Sequence, residues 1–145
     1  MSDTEENLLI KFKRTCRDAG IRFTNQRLVI YRELALSTDH PTAEALYQRL
    51  HEAFPSMSLD TVYRTLATFE QHGFAKKVDT VHSLARFEVA RYQHHHLICR
   101  TCSKIIDFIW QEVDTAPLPE NIDDWGRIDT RNVVIYGVCK DCLNE

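Results

Sequence analysis

The sequence predicts an α+β protein, a winged helix-turn-helix over residues 1–90 followed by a small α/β unit over residues 91–145. Three observations predict it. Helix-period patterns with their own capping residues fill the first half. Two short strand-like runs follow them directly. The composition then changes to strand-like runs interrupted by paired cysteines.

Residues 4–19 carry Leu8, Leu9, Phe12 and Cys16 at helical spacing, and Gly20 supplies a left-handed stop. Thr24 or Asn25 can cap a second helix reaching about residue 36, with Leu28, Tyr31 and Leu34 inward. Pro41 and Thr42 open a third, with Leu46, Leu50 and Ala53 inward and Pro55 as its stop. Ser58 caps a fourth that runs to about His72, where Gly73 ends it. Residues 74–78 and 85–89 read as strands joined by a polar turn. Beyond residue 90, segments 97–99, 105–110 and 127–138 read as strands, and 111–126, with Pro117 and Pro119, has room only for a short helix. This second unit has little core of its own and needs a metal clip or a partner chain.

The fourth helix divides cleanly by angle. At about 100° per residue, Val62, Leu66 and Phe69 fall within about 80° of Leu59 and make one apolar stripe. Thr61, Arg64, Thr68 and Gln71 lie on the other side, and Tyr63 on the shoulder. Such an outer face suits a helix laid in a major groove, where Arg donates twice to guanine and Thr or Tyr carbons meet thymine methyls. An ordinary amphipathic helix with a polar face has the same pattern.

The net charge of −3 hides a division. Between residues 11 and 32, Lys11, Lys13, Arg14, Arg17, Arg22, Arg27 and Arg32 face Asp18 alone, a local +6, and Lys76, Lys77 and Arg86 form a second basic group. Local patches, not the sum, decide attraction to phosphates. No stretch approaches the roughly 18 apolar residues of a membrane span. Residues 1–6 lack the basic end and apolar core of a signal peptide, so a cytoplasmic location with no membrane contact is expected.

Four of the five cysteines form two C-x2-C pairs, Cys99/Cys102 and Cys139/Cys142, separated by 36 residues. Without a secretion signal, disulfides are not expected. Two such knuckles place four thiolates on one tetrahedral zinc. A thioredoxin-like redox pair would need a C-x2-C at a helix N-terminus within a βαβ unit, whereas strand-like runs border both pairs here. Cys16 reads as a buried helix residue. His94, His95 and His96 precede the first pair. In a strand His94 and His96 share one face and His95 takes the other. With Glu88 and Asp107 they offer a mixed N/O donor set, harder than four thiolates and suited to Fe²⁺, Mn²⁺ or Zn²⁺, and His40 is a further candidate. A surface histidine run is the bland alternative.

These residues resemble the ferric uptake regulator superfamily over nearly the whole chain. The matching strings are GIRFTNQR at 20–27, HPT at 40–42, TVYRTL at 61–66, RFE at 86–88, HHHLIC at 94–99, CSKIID at 102–107 and IYGVC at 135–139. The resemblance implies a homodimer with an N-terminal winged-helix DNA-binding domain and a C-terminal dimerisation domain. It implies structural Zn²⁺ on Cys99, Cys102, Cys139 and Cys142. It also implies a regulatory Fe²⁺ or Mn²⁺ on His40, Glu88, His94, His96 and Asp107. Tyr63 and Arg64 match the family's DNA-reading helix; Thr61, Thr68, Arg22, Arg27, Lys76 and Lys77 complete the candidate DNA-binding set. A further metal site of many iron and zinc regulators uses a His where this chain has Arg131 and an acid where it has His95, so that site is expected to be absent.

Within the superfamily, Asp107 and the 11-residue step from Glu88 to Cys99 resemble the peroxide stress branch, whereas Glu88 itself and Arg64 resemble the iron-uptake branch. The reading is a non-enzymatic, metal-dependent repressor of peroxide stress genes. It binds double-stranded operator DNA, an inverted repeat, and senses peroxide by metal-catalysed oxidation of His40 or His94. The alternative is an iron-responsive repressor of iron uptake genes, and behind it a zinc or manganese uptake regulator. A metallohydrolase would want a catalytic motif such as H-E-x-x-H, which the chain lacks. A zinc adaptor that binds only proteins would leave the 11–32 patch unused. A thiol-switch regulator would oxidise its zinc thiolates before any histidine.

Overall fold

The structure, a computed structural model, describes residues 5–80, 84–90 and 92–144, without the side chains of Glu5 and Asp123. Residue 4, where the first helix is expected to start, and residues 81–83 of the expected polar turn lie outside these. The chain falls into two compact units, Met1–Arg91 and Tyr92–Glu145.

The first unit holds helices α1 (Glu5–Ala19), α2 (Asn25–Leu36), α3 (Ala43–His51) and α4 (Leu59–Gln71), then strands β1 (Ala75–Asp79) and β2 (Ala85–Val89). The helix starts follow the hydroxyl residues. Thr24, Thr42 and Ser58 accept from the backbone N–H three positions on, each at 3.1 Å. The stops at Gly20 and Gly73 need φ values of +70° and +79°, which glycine adopts without a Cβ clash. At each, two N–H groups turn back onto the last carbonyls: Gly20 and Ile21 onto Arg17 and Cys16, Gly73 and Phe74 onto Glu70 and Phe69.

Phe12 of α1 lies at the centre of this unit, fully buried. Its ring meets those of Phe23, Tyr31, Phe69 and Phe74 at centroid distances of 5.9, 4.7, 5.8 and 6.1 Å. Val62, Leu66 and Phe69 bury the predicted stripe of α4 against it, and Thr65 joins them. Val29 and Ile30 of α2 are buried beside Tyr31 and Leu34, so α2 is covered more widely than its pattern predicts. Ala53, expected inward, is exposed. α3 stops at His51, and Met57, not Ala53, fills the core beyond it. β1 and β2 pair antiparallel, with Lys76 opposite Glu88 and Val78 opposite Arg86.

The second unit is a three-stranded sheet in the order β4-β3-β5, with β3 (His95–Cys99), β4 (Ile105–Phe108) and β5 (Val134–Gly137). β3 is antiparallel to β4 and parallel to β5. A five-residue helix α5 (Gln111–Thr115), a 3-10 turn (Glu120–Trp125) and a last helix α6 (Lys140–Leu143) complete it. β3 starts two residues earlier than expected, and β4 ends at Phe108 rather than at residue 110. The strand expected over 127–138 shrinks to Val134–Gly137. Part of the preceding backbone bonds to side chains: Arg131 O accepts from Gln93 Nε2 and Val133 N–H donates to His95 Nδ1, while Val133 O still accepts from the His96 N–H.

Phe12→Ala should cost about 3–5 kcal/mol, since it empties the middle of an aromatic cluster. Ile10→Ala, two residues away on the half-exposed side of α1, should cost less than about 0.5 kcal/mol. Urea titration followed by helical circular dichroism checks the pair.

Candidate metal centres and nucleic-acid interface

In the second unit the four predicted cysteines converge. Cys99 lies at the end of β3 and Cys102 in the turn before β4; Cys139 caps α6 and Cys142 lies within it. Their Sγ atoms all lie within 4.8 Å of one another, with Cys99–Cys142 and Cys102–Cys139 both at 3.8 Å. A tetrahedral ion with bonds of about 2.3 Å to sulfur has edges of about 3.8 Å, so the spacing fits zinc. Ser103 turns the knuckle at φ +65°. The Cys102 and Cys139 N–H groups donate to Cys99 Sγ at 3.5 and 3.3 Å and draw its thiol down to about 6. Cys142, beside the Cys139 sulfur, is pushed well above the usual thiol range. Four thiols at this spacing do not ionise together unless a cation sits among them. This is a structural zinc site. Cys16 stands apart, buried in α1, and burial raises its thiol.

The histidine run alternates as strand geometry requires. His94 and His96 Nε2 lie 3.7 and 3.3 Å from the same Asp107 oxygen, with their rings 4.8 Å apart. His95, fully buried, turns the other way. Its Nδ1 accepts from Val133 N–H at 2.9 Å, which puts the proton on Nε2, 2.7 Å from Asp114. Arg131 donates to the carbonyls of Val113 and Ala116 at 2.9 and 2.7 Å. His95 and Arg131 thus serve as internal braces of this unit.

In the first unit His40 Nε2 lies 2.9 Å from Glu88 Oε2. Two donors bound side by side on an ion with bonds of about 2.1 Å sit about 3.0–3.4 Å apart, depending on its geometry. The His40–Glu88 and His96–Asp107 separations match that spacing, and imidazole with carboxylate suits Fe²⁺, Mn²⁺ or Zn²⁺.

The same unit also carries a polar groove between the start of α2 and the outer face of α4, lined by Arg22, Gln26, Arg27, Thr61, Arg64 and Thr68. Of the sequence-predicted DNA-binding residues, Lys76 and Lys77 stand on β1 outside this lining, and Tyr63 is exposed on α4. Sequence reasoning missed Gln26, Thr24 and Thr65 as lining residues. Thr24 gave a signal only as a cap, and Gln26 sits in the first turn that cap exposes. It also missed two acids that hold the candidate DNA-contacting residues Arg64 and Tyr63. Asp60 pairs with Arg64 at 2.7 Å, and Glu44 accepts from the Tyr63 hydroxyl, which pushes that phenol above its usual range.

The model of the ferric uptake regulator family matches residues 18–124. The chain belongs to the ferric uptake regulator family. It is 38% identical over 130 residues to the peroxide-responsive repressor PerR of Staphylococcus epidermidis, covering 89% of this chain and 86% of that one. The structure of the Helicobacter pylori ferric uptake regulator Fur, described as having three functional metal binding sites, aligns with a TM-score of 0.76 at 25% identity over 99% of this chain and 97% of that one. PerR from Streptococcus pyogenes aligns with a TM-score of 0.52 at 32% identity over 97% and 94%. The α+β winged-helix architecture of this ferric uptake regulator family member is therefore shared with solved regulators. No helix among the described residues is long and apolar enough to cross a membrane.

Cys142→Ser should release the zinc and loosen the second unit. Both tryptophans, Trp110 and Trp125, report on that unit. Their emission should shift while the helical signal of the first unit persists; a variant that keeps a full equivalent of zinc would contradict the four-thiolate site.

Proposed function

We propose that this chain is a peroxide-responsive, metal-dependent repressor that binds operator DNA as a cytoplasmic homodimer. The observation that carries the reading is the pair of imidazole–carboxylate half-sites, His40–Glu88 in one unit and His94 and His96 with Asp107 in the other. One regulatory ion takes all five side chains. A bound ferrous ion would cleave the O–O bond of hydrogen peroxide, one oxygen leaving as water and the other joining an imidazole carbon of His40 or His94, with the ring supplying the two electrons. His40 and His94 are the oxidation-sensitive ligands, and the one that gains the oxygen loses its hold. The free energy of coordination becomes free energy of the DNA-competent conformer, and losing one ligand withdraws it.

DNA is bound through the groove and the local +6. Arg22 and Arg27, with Lys76 and Lys77 on β1, supply salt-dependent phosphate affinity, and Arg64, Tyr63, Thr61 and Thr68 face the bases. The second unit supports a dimer: Leu97 sits in register between Ile106 and Ile135, and this row across the sheet is 41–44% exposed. A second copy that covers it would set two α4 helices against half-sites of an inverted repeat about one helical turn apart. The second reading, an iron-responsive repressor of iron uptake, draws on Glu88 and Arg64.

The two readings part under peroxide. Anaerobic Fe²⁺-loaded dimer treated with hydrogen peroxide should lose operator affinity and carry one added oxygen on the peptide of His40 or His94, while the Mn²⁺-loaded dimer resists. Peroxide-insensitive binding by the Fe²⁺ form selects the iron-uptake reading. Arg64→Ala should cost about 1–3 kcal/mol on operator DNA and flatten base preference. Lys76→Ala should weaken all duplexes alike, by fluorescence anisotropy.

A further inference from the structure

His40 occupies a backbone position that its sequence disfavours. It precedes Pro41, where extended backbone is preferred, yet its φ is +51°, in the left-handed region that is costly for any residue but glycine. Something must hold it there. The loop from Ser37 to Thr42 is stitched to β2 by three consecutive residues. Arg86 donates through Nε to the His40 carbonyl and through Nη2 to the Asp39 carbonyl at 2.5 Å. The Phe87 N–H donates to the Pro41 carbonyl at 2.9 Å. Glu88 meets the His40 imidazole. On the other side of the loop, Arg49 holds the Asp39 carboxylate with both terminal nitrogens, at 2.5 and 3.3 Å, and reaches Ser37 Oγ at 3.1 Å.

We infer that Arg86 is the positioning residue for His40: its guanidinium fork fixes the two carbonyls of the left-handed turn, and that turn delivers the imidazole to Glu88. Arg86 and Glu88 are two apart on β2 and share one face, so a single strand carries both the ligand and the group that aims its neighbour, while Phe87 between them is buried. The planar fork suits two successive carbonyls; a lysine ammonium is a point donor. Arg86, which composition groups with Lys76 and Lys77 as a DNA-facing cation, is instead spent inside the first unit. The inference rests on the ligand role given to His40 and Glu88 above, and it concerns what sets that role up.

The test uses the full-length, zinc-loaded protein with Arg86→Gln and Arg86→Lys. Mn²⁺ alone is the probe. Both variants should bind it at least tenfold more weakly, with zinc content and thermal midpoint close to wild type. Amide hydrogen exchange on the metal-free protein gives the second readout: the Phe87 amide should exchange at least tenfold faster, and the amides of α4 should not change. If Arg86→Gln does not fold, Arg86→Lys carries the comparison on the same thresholds. Either wild-type Mn²⁺ affinity or unchanged Phe87 exchange in the folded variant overturns the inference. His40→Ala separates the layers. If it leaves Mn²⁺ affinity intact, the ligand reading fails, whereas an intact affinity in the Arg86 variants alone sinks only the positioning role.

Discussion

The second unit depends on its four-thiolate clip. Among its described residues only Ile98, Cys99 and Ile105 bury apolar side chains, and the remaining buried groups are the three histidines. That is too little apolar area to order about fifty residues against chain entropy. β3 and β5 are parallel, so no hairpin turn closes them; Cys99 and Cys102 after β3 and Cys139 and Cys142 after β5 meet at the same end of the sheet, where a zinc ion would join the two segments. Metal binding energy is folding energy in such a unit. The first unit has no such need, because Phe12 and its four aromatic neighbours give it a continuous core.

That division lets the two metal chemistries do different things. Thiolates are soft, hold zinc in a closed tetrahedron and have no open position, which suits permanent structure. Imidazoles and carboxylates are harder donors and tolerate ions that come and go. The β3–β4 pairing sets His96 opposite Asp107, while His95 turns to Asp114. The proposed sensing ligands of this unit, His94, His96 and Asp107, are separate from the four thiols. His40 is positioned separately, through hydrogen bonds from β2 in the first unit.

Much of this was legible in the residues. Thr24, Thr42 and Ser58 announce helix starts because a short hydroxyl can satisfy an orphan N–H, and Gly20 and Gly73 announce stops because only glycine takes φ near +70° cheaply. The cysteine pairs were legible because metal geometry constrains spacing. The illegible parts depend on side chains reaching across sequence. Residues 127–133 look like strand, but Gln93 takes the Arg131 carbonyl and His95 takes the Val133 N–H. Ala53 continues a helical period that the chain abandons at His51. The left-handed turn at His40 is invisible locally, since the residue that holds it lies 46 positions away. α6 is four residues long and owes its place to the cysteines at its start.

In the proposed function, one regulatory ion and operator DNA favour the same conformer. Linkage makes the coupling reciprocal: the factor by which Mn²⁺ tightens DNA binding must equal the factor by which DNA tightens Mn²⁺ binding. The direct measurement is Mn²⁺ affinity of the zinc-loaded dimer, by paramagnetic resonance of the free ion, with and without saturating operator duplex. The duplex should raise Mn²⁺ affinity by the same factor, tenfold or more, that Mn²⁺ raises duplex affinity. Equal Mn²⁺ affinity in the presence and absence of operator DNA would contradict it.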